Sequence, residues 1–191
     1  GPEQVYKKCI KRLLDILISL LALIVLSPVY LVTWIAIKLD SKGPAIFKQT
    51  RLGYHHKEFT LLKFRSMVVN AEHTGSGVYS GKGDARVTKV GRILRATSID
   101  ELPQLFNILK GDMSFVGPRP LLVKYLPYYN DAEKQRHSVR PGLTGYAQVH
   151  GRNAISWEKK FEYDIYYVEH LTFATDIKII FDTVRTVIKH E

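Results

Sequence analysis

Asp100-Glu101 is an adjacent acid pair at the start of an apolar repeat, in a chain where Lys and Arg outnumber Asp and Glu by 28 to 18. A carboxylate can attack an electrophilic phosphorus and form an acyl phosphate. Its repulsion from an anionic substrate must then be offset. Mg²⁺ held by one or two carboxylates and phosphate oxygens does this, and so do arginines. Arg95 lies five residues before Asp100, where it can stabilise charge on a transferring group. Arg119 stands between Pro118 and Pro120 on a stiff backbone, and its guanidinium can clamp a phosphate bidentately.

The pair also has a plainer role. Ser98-x-x-Glu101 fits a capping box, and acids favour helix N-termini. With Ser98 as the cap, Pro103 falls in the second turn and costs a hydrogen bond. With Asp100 as the cap, Pro103 lies in the first turn and is tolerated, and Asp100 sits where backbone N–H groups converge. The sequence 140–149 is rich in turn residues and aromatics. Its Gln148 and Tyr146 suit a nucleotide base, and Arg140 and the nearby Arg152 suit phosphates; otherwise it is a surface loop.

The elements that must position these residues follow from periodicity. Residues 45–50 and 58–67 read as two short strands of a hairpin, with Gly53 in the connection. Residues 86–95 read as a basic helix. Leu102, Leu105, Phe106 and Leu109 give the buried stripe of a second helix, ended by Gly111. Ser156 caps a third, with Trp157, Phe161, Ile165 and Val168 on one side. The C-terminal helix over 173–189 is amphipathic, for packing on a core or lying on a membrane. The glycine-rich stretch 74–83 is a loop whose spacing does not fit a Walker motif.

Near the N-terminus, residues 16–37 carry no charge, enough to cross a bilayer at about 20 residues per span. Ser27-Pro28 interrupts the run. Pro28 leaves the carbonyl of Ile24 without its helical donor and bends the helix, and Ser27 can satisfy the freed carbonyl. Basic residues lie on both sides, Lys7, Lys8, Lys11 and Arg12 before and Lys38, Lys42, Lys48 and Arg51 after. The positive-inside rule puts both flanks in the cytoplasm, as a re-entrant helix-break-helix does; a kinked span is the alternative.

The rest of the composition narrows the class. A single cysteine, Cys9, excludes an internal disulfide framework, and the seven histidines show no zinc spacing. The net charge of +10 attracts phosphorylated substrates, anionic lipid or nucleic acid. A non-catalytic basic module for membrane or nucleic acid is the alternative to an enzyme. A carboxylate-nucleophile phosphohydrolase is disfavoured by the lack of an Asp-x-Asp motif. Gly1-Pro2 reads as a protease-cleavage scar.

Taken in order, these motifs resemble one family along nearly the whole chain: the monotopic phosphoglycosyl transferases of the bacterial sugar transferase family. The resemblance rests on the broken apolar segment, Lys63-Phe64-Arg65-Ser66-Met67, Asp100-Glu101-Leu102-Pro103-Gln104, Lys110-Gly111-Asp112-Met113-Ser114, Gly117-Pro118-Arg119-Pro120 and Arg140-Pro141-Gly142-Leu143-Thr144-Gly145. Asn153-Ala154-Ile155-Ser156-Trp157 resembles the subgroup that loads N,N′-diacetylbacillosamine phosphate.

The resemblance implies an α+β, mostly helical, monotopic protein. It would have a re-entrant helix over 3–39 broken at Ser27-Pro28, a small β-hairpin, interfacial amphipathic helices and a cytoplasmic catalytic domain over 40–191. It implies transfer of a sugar 1-phosphate from a UDP-sugar to undecaprenyl phosphate, with release of UMP and a requirement for Mg²⁺. Asp100 matches the nucleophile and Glu101 its partner acid, both near the metal. Arg95, Arg119, Lys63, Arg65, Arg140, Gln148 and Arg152 are the expected substrate contacts. Membrane lipids are expected partners and nucleic acid is not. The expected location is the cytoplasmic face of the bacterial inner membrane. Neither the sugar nor the oligomeric state follows from the sequence.

Overall fold

The computed structural model describes residues 2–68, 86–124, 129–131, 133–150 and 156–189. The chain runs α1 (Pro2–Val5), a π-helical turn (Tyr6–Ile10), α2 (Lys11–Val25), α3 (Ser27–Asp40), β1 (Ile46–Leu52) and β2 (Glu58–Phe64). It continues through α4 (Lys89–Thr97), α5 (Gln104–Lys110), β3 (Ser114–Val116), β4 (Gly142–Thr144), α6 (Tyr146–His150), α7 (Trp157–Glu169) and α8 (Phe173–Lys189). The protein is thus mostly helical with a small β1–β2 hairpin, as the sequence indicated. A second two-stranded sheet pairs β3 with β4 in parallel, Ser114 opposite Gly142 and Val116 opposite Thr144.

The chain forms two compact units. One comprises Leu21–Gln49 and Leu61–Phe106; the other comprises Gly1–Leu20, Thr50–Thr60 and Asn107–Glu191. In the first, Ile37, Ala45, Phe64 and Leu94 form the core, with Tyr30, Val90, Ile99 and Leu102 packed against them. The break between α2 and α3 falls at Leu26, directly before Ser27-Pro28 in the first turn of α3, and Ser27 Oγ donates to the Ile24 carbonyl at 2.9 Å, as the missing proline N–H demands. The helices on either side are bent by 61°. Among the described residues no single helix is long and apolar enough to cross a membrane. Leu21, Ile24, Val25, Leu31, Val32 and Trp34 stay exposed around the break.

In the second unit the charged side of α2 is buried against protein. Lys11 Nζ donates to Asp176 Oδ2 at 2.5 Å, and the amide of Phe115 donates to Asp15 Oδ1 at 3.4 Å. Asp176 also accepts from the hydroxyls of Tyr6 and Tyr167. This network decides how α8 lies. Its polar Asp176 and its Ile179 face inward, while Phe173, Ile177, Ile180, Phe181, Val184 and Ile188 are exposed. The amphipathic helix was expected to bury that apolar face if it packed on a core; here three hydrogen bonds turn it outward.

Two other expectations change in detail. α7 is capped by Ser156, whose Oγ accepts from the Lys159 amide, but its buried line is Phe161, Asp164 and Tyr167, and Trp157 is exposed. α5 ends at Gly111, whose φ of 103° suits glycine, yet it buries Gln104, Leu105, Asn107 and Ile108 and leaves Phe106 outside.

Candidate active site

The acid pair sits in the first unit, on a turn built by its two neighbours in sequence. Thr88 caps α4, its Oγ1 accepting from the Gly91 amide at 2.9 Å. Gly91 runs against the backbone of Ser66, where a Cβ would lie 2.1 Å from the Ser66 carbonyl oxygen. That close approach brings Arg95, one turn further on, to the same residue: its Nε donates to Ser66 Oγ at 2.9 Å. The helix then stops because Ser98 adopts a left-handed conformation with φ of 59°. A 3-10 turn, Ile99–Glu101, carries both acids, and α5 begins only after Pro103.

Neither capping scheme read from the sequence describes this. Ser98 makes no side-chain cap, and the acids precede the helix instead of opening it. Pro103 requires no helical donor there, so it costs nothing.

The electrostatics of the turn are those of a stressed carboxylate. Burial raises Asp100 first, and repulsion from Glu101 adds to it; together they push it up to about 6 against the pull of Lys63 and Arg95. Lys63 comes from β2 and is half-buried. Four expected site residues, Lys63, Arg95, Asp100 and Glu101, are therefore electrostatically coupled within one unit. Tyr30 of α3, two residues beyond Pro28, also reaches this turn. Its hydroxyl donates to the Leu102 carbonyl, and its ring lies 5.7 Å from that of Phe64 and 5.9 Å from that of Phe106. A residue of the broken apolar segment thus holds the acid-bearing turn, which nothing in its spacing signalled.

Arg65 is buried, and its guanidinium donates to the Pro44 carbonyl at 2.6 Å, to Ser41 Oγ at 2.5 Å, and to the carbonyls of Ser41 and Gly43. It fastens the turn after α3. In the second unit, Arg119 is exposed on its proline-flanked turn. Arg140 donates from Nε to the Gly111 carbonyl at 2.9 Å and lies over the Tyr54 ring. Gln148 is half-buried on α6. Arg152, the loop 74–83 and Asn153-Ala154-Ile155 lie outside the described residues.

Sequence reasoning missed a buried ion pair. Arg136 Nε donates to Asp164 Oδ2 at 2.9 Å, with both side chains almost wholly enclosed. Burial pushes the Asp164 carboxyl up, against the pull of Arg136. Asp164 lies between Phe161 and Ile165 on the helix side read as apolar, and that is the signal that could have found it. Among the described residues no three His, Cys, Asp or Glu side chains converge. A site of carboxylates plus substrate phosphates, the usual manner of Mg²⁺, needs no such triad.

A family profile described as bacterial sugar transferase matches residues 6–190, and the chain belongs to that family. It is 49% identical to "Uncharacterized sugar transferase EpsL" of Bacillus subtilis, over 95% of this chain and 89% of that protein. It is 43% identical to UDP-N-acetylgalactosamine-undecaprenyl-phosphate N-acetylgalactosaminephosphotransferase of Aeromonas hydrophila, over 98% of this chain and 45% of that enzyme. It is 47% identical to UDP-glucose:undecaprenyl-phosphate glucose-1-phosphate transferase of Klebsiella pneumoniae, over 91% of this chain and 39% of that enzyme. The chain spans less than half the length of these two enzymes.

Proposed function

We propose that this chain moves a sugar 1-phosphate from a UDP-sugar to undecaprenyl phosphate and releases UMP. The observation that carries this is the half-buried Asp100 carboxylate, set against Glu101 and countered by Lys63 and Arg95. The relatives named for this reaction on undecaprenyl phosphate support it.

In the first half-reaction an Asp100 oxygen forms a bond to the phosphorus that bears the sugar. The bond from that phosphorus to the bridging oxygen breaks, and UMP leaves with the electron pair. In the second, a phosphate oxygen of undecaprenyl phosphate attacks the same phosphorus and returns Asp100 as a carboxylate. With its pKa near 6, Asp100 is mostly ionised at neutral pH yet more basic than a free aspartate. Lys63 and Arg95 counter the negative charge of the diphosphate, and Arg119 is assigned to phosphate binding by its place between Pro118 and Pro120.

Asp100 and Glu101 would hold a Mg²⁺ ion together with phosphate oxygens, and the mutual repulsion of the two acids is what a divalent cation relieves. When bound, the ion supplies charge neutralisation at the phosphates.

The acceptor's polyprenyl chain places the site at a membrane. We read α2 and α3 as a re-entrant pair that enters and leaves by the cytoplasmic leaflet. The 61° bend before Ser27-Pro28, the basic flanks and the exposed apolar side chains support this. The relatives named above carry N-acetylgalactosamine and glucose. They lend no support to the bacillosamine subgroup expected from 153–157.

The reading is tested by UMP release from a panel of UDP-sugars with undecaprenyl phosphate and Mg²⁺. Asp100→Asn is expected to abolish release while circular dichroism and melting show an intact fold. Full turnover by this variant would remove Asp100 as nucleophile.

A further inference from the structure

We infer that the buried Arg136–Asp164 pair, together with Arg51, is a positioning device that presents the Arg119 side chain to a substrate phosphate. This rests on the assignment of Arg119 to phosphate binding made above. Pro118 and Pro120 have no N–H, so the segment around Arg119 has few donors of its own. It is held by its carbonyls instead. The Pro118 carbonyl accepts from the Gly142 amide at 2.9 Å. The Arg119 carbonyl accepts from Arg136 Nη2 at 2.5 Å, and the Pro120 carbonyl from Arg51 Nη1 at 2.8 Å. The Leu121 carbonyl accepts from the Leu52 amide at 2.9 Å. Four successive carbonyls are thus satisfied while the Arg119 side chain stays exposed.

Stability alone does not account for the pair. A buried ion pair is often no better than apolar residues of the same volume. What an arginine adds is a planar fork: one nitrogen takes the Asp164 carboxylate and another takes the Arg119 carbonyl. Asp164 fixes the fork and compensates its charge, and the Phe161 ring lies 5.6 Å from the guanidinium carbon. A lysine at 136 keeps the charge but has no second, rigidly placed nitrogen for the carbonyl. The three arginines therefore divide their work: two hold main chain, and the third faces solvent between two prolines.

The test is a double-mutant cycle read by UMP-release kinetics and melting temperature, with Arg119→Ala, Arg136→Lys and the double variant. Arg136→Lys is expected to lower kcat/KM for the UDP-sugar by at least tenfold, toward the roughly 10²-fold cost of a 1 Å misplacement. The double variant should then be no worse than Arg119→Ala alone, within about twofold. Losses that multiply in the double variant would overturn the positioning role while leaving Arg119 as a phosphate contact. Wild-type turnover by Arg119→Ala would instead remove the assignment on which the proposal rests. Should Arg136→Lys not fold, Asp164→Asn and Arg51→Lys complete the same cycles with the same expectations.

Discussion

Asp100 is the residue whose chemistry and stability pull in opposite directions. Its carboxyl titrates at about 6 in the fold, against 3.8 when unperturbed. Between those values the folded state holds the proton more tightly than the unfolded state does. Stability contributed by this group is therefore present at low pH and lost as pH rises through 3.8 to 6. Discounted for partial exposure, the cost above pH 6 is about 2 kcal/mol. Asp100→Asn should melt a few degrees above the wild type at pH 7.5 and converge with it near pH 3.5. Identical melting at pH 7.5 would contradict the strain.

His137 has the opposite sign. Burial, then the nearby Arg136 and His56, push it down to about 3, and its Nε2 has no hydrogen-bond partner among the described residues. The fold keeps this ring neutral, so its contribution is complete above pH 6.5 and drains away as pH falls toward 3. Urea titrations at pH 7 and 4.5 should show a smaller loss of midpoint for His137→Gln than for the wild type.

At the scale of elements, the break between α2 and α3 does most to place the chemistry. Pro28 removes one helical donor and Ser27 replaces it. Tyr30, just beyond, binds the turn that carries the acids. Pro28→Ala restores the missing N–H and should favour a straighter helix. On the re-entrant reading, Cys9 before the break lies on the cytoplasmic side. It is exposed and is the chain's single cysteine, so it serves as a native label. An impermeant maleimide applied to spheroplasts should spare Cys9 in the wild type and label a larger fraction in Pro28→Ala. Strong labelling of the wild type would show a kinked span.

For the whole molecule, the proposed membrane attachment has two candidate sources, charge and inserted apolar surface. Its net charge of +10 would attach it to anionic lipid by itself. Salt screens that attraction, the Debye length falling from about 10 Å at 0.1 M to about 3 Å at 1 M. The exposed apolar faces of α2, α3 and α8 are indifferent to salt. Membranes washed in 1 M NaCl or alkaline carbonate are therefore expected to retain the protein, and detergent to release it. Its release by salt alone would leave only a peripheral, charge-held protein.

What the sequence determined by itself was local. Ser27-Pro28, the hairpin around Gly53, the Ser156 cap and the Gly111 stop each depend on the dihedral or hydrogen-bonding limits of one or two residue types, and each stands where it was read. The acid pair was legible as a candidate site because adjacent carboxylates repel each other and call for cations nearby, as Lys63 and Arg95 are here. Tertiary structure decided what depends on partners distant in sequence. It put Asp100 on a 3-10 turn before the helix, since Ser98 takes a left-handed conformation that no residue pattern announced. It turned the apolar face of α8 outward, since Asp176 finds three donors from Tyr6, Lys11 and Tyr167. It buried Arg65 and Arg136 as holders of main chain and left Arg119 facing solvent. An arginine's sequence records its charge; which carbonyl or carboxylate it meets is set only when the chain has folded around it.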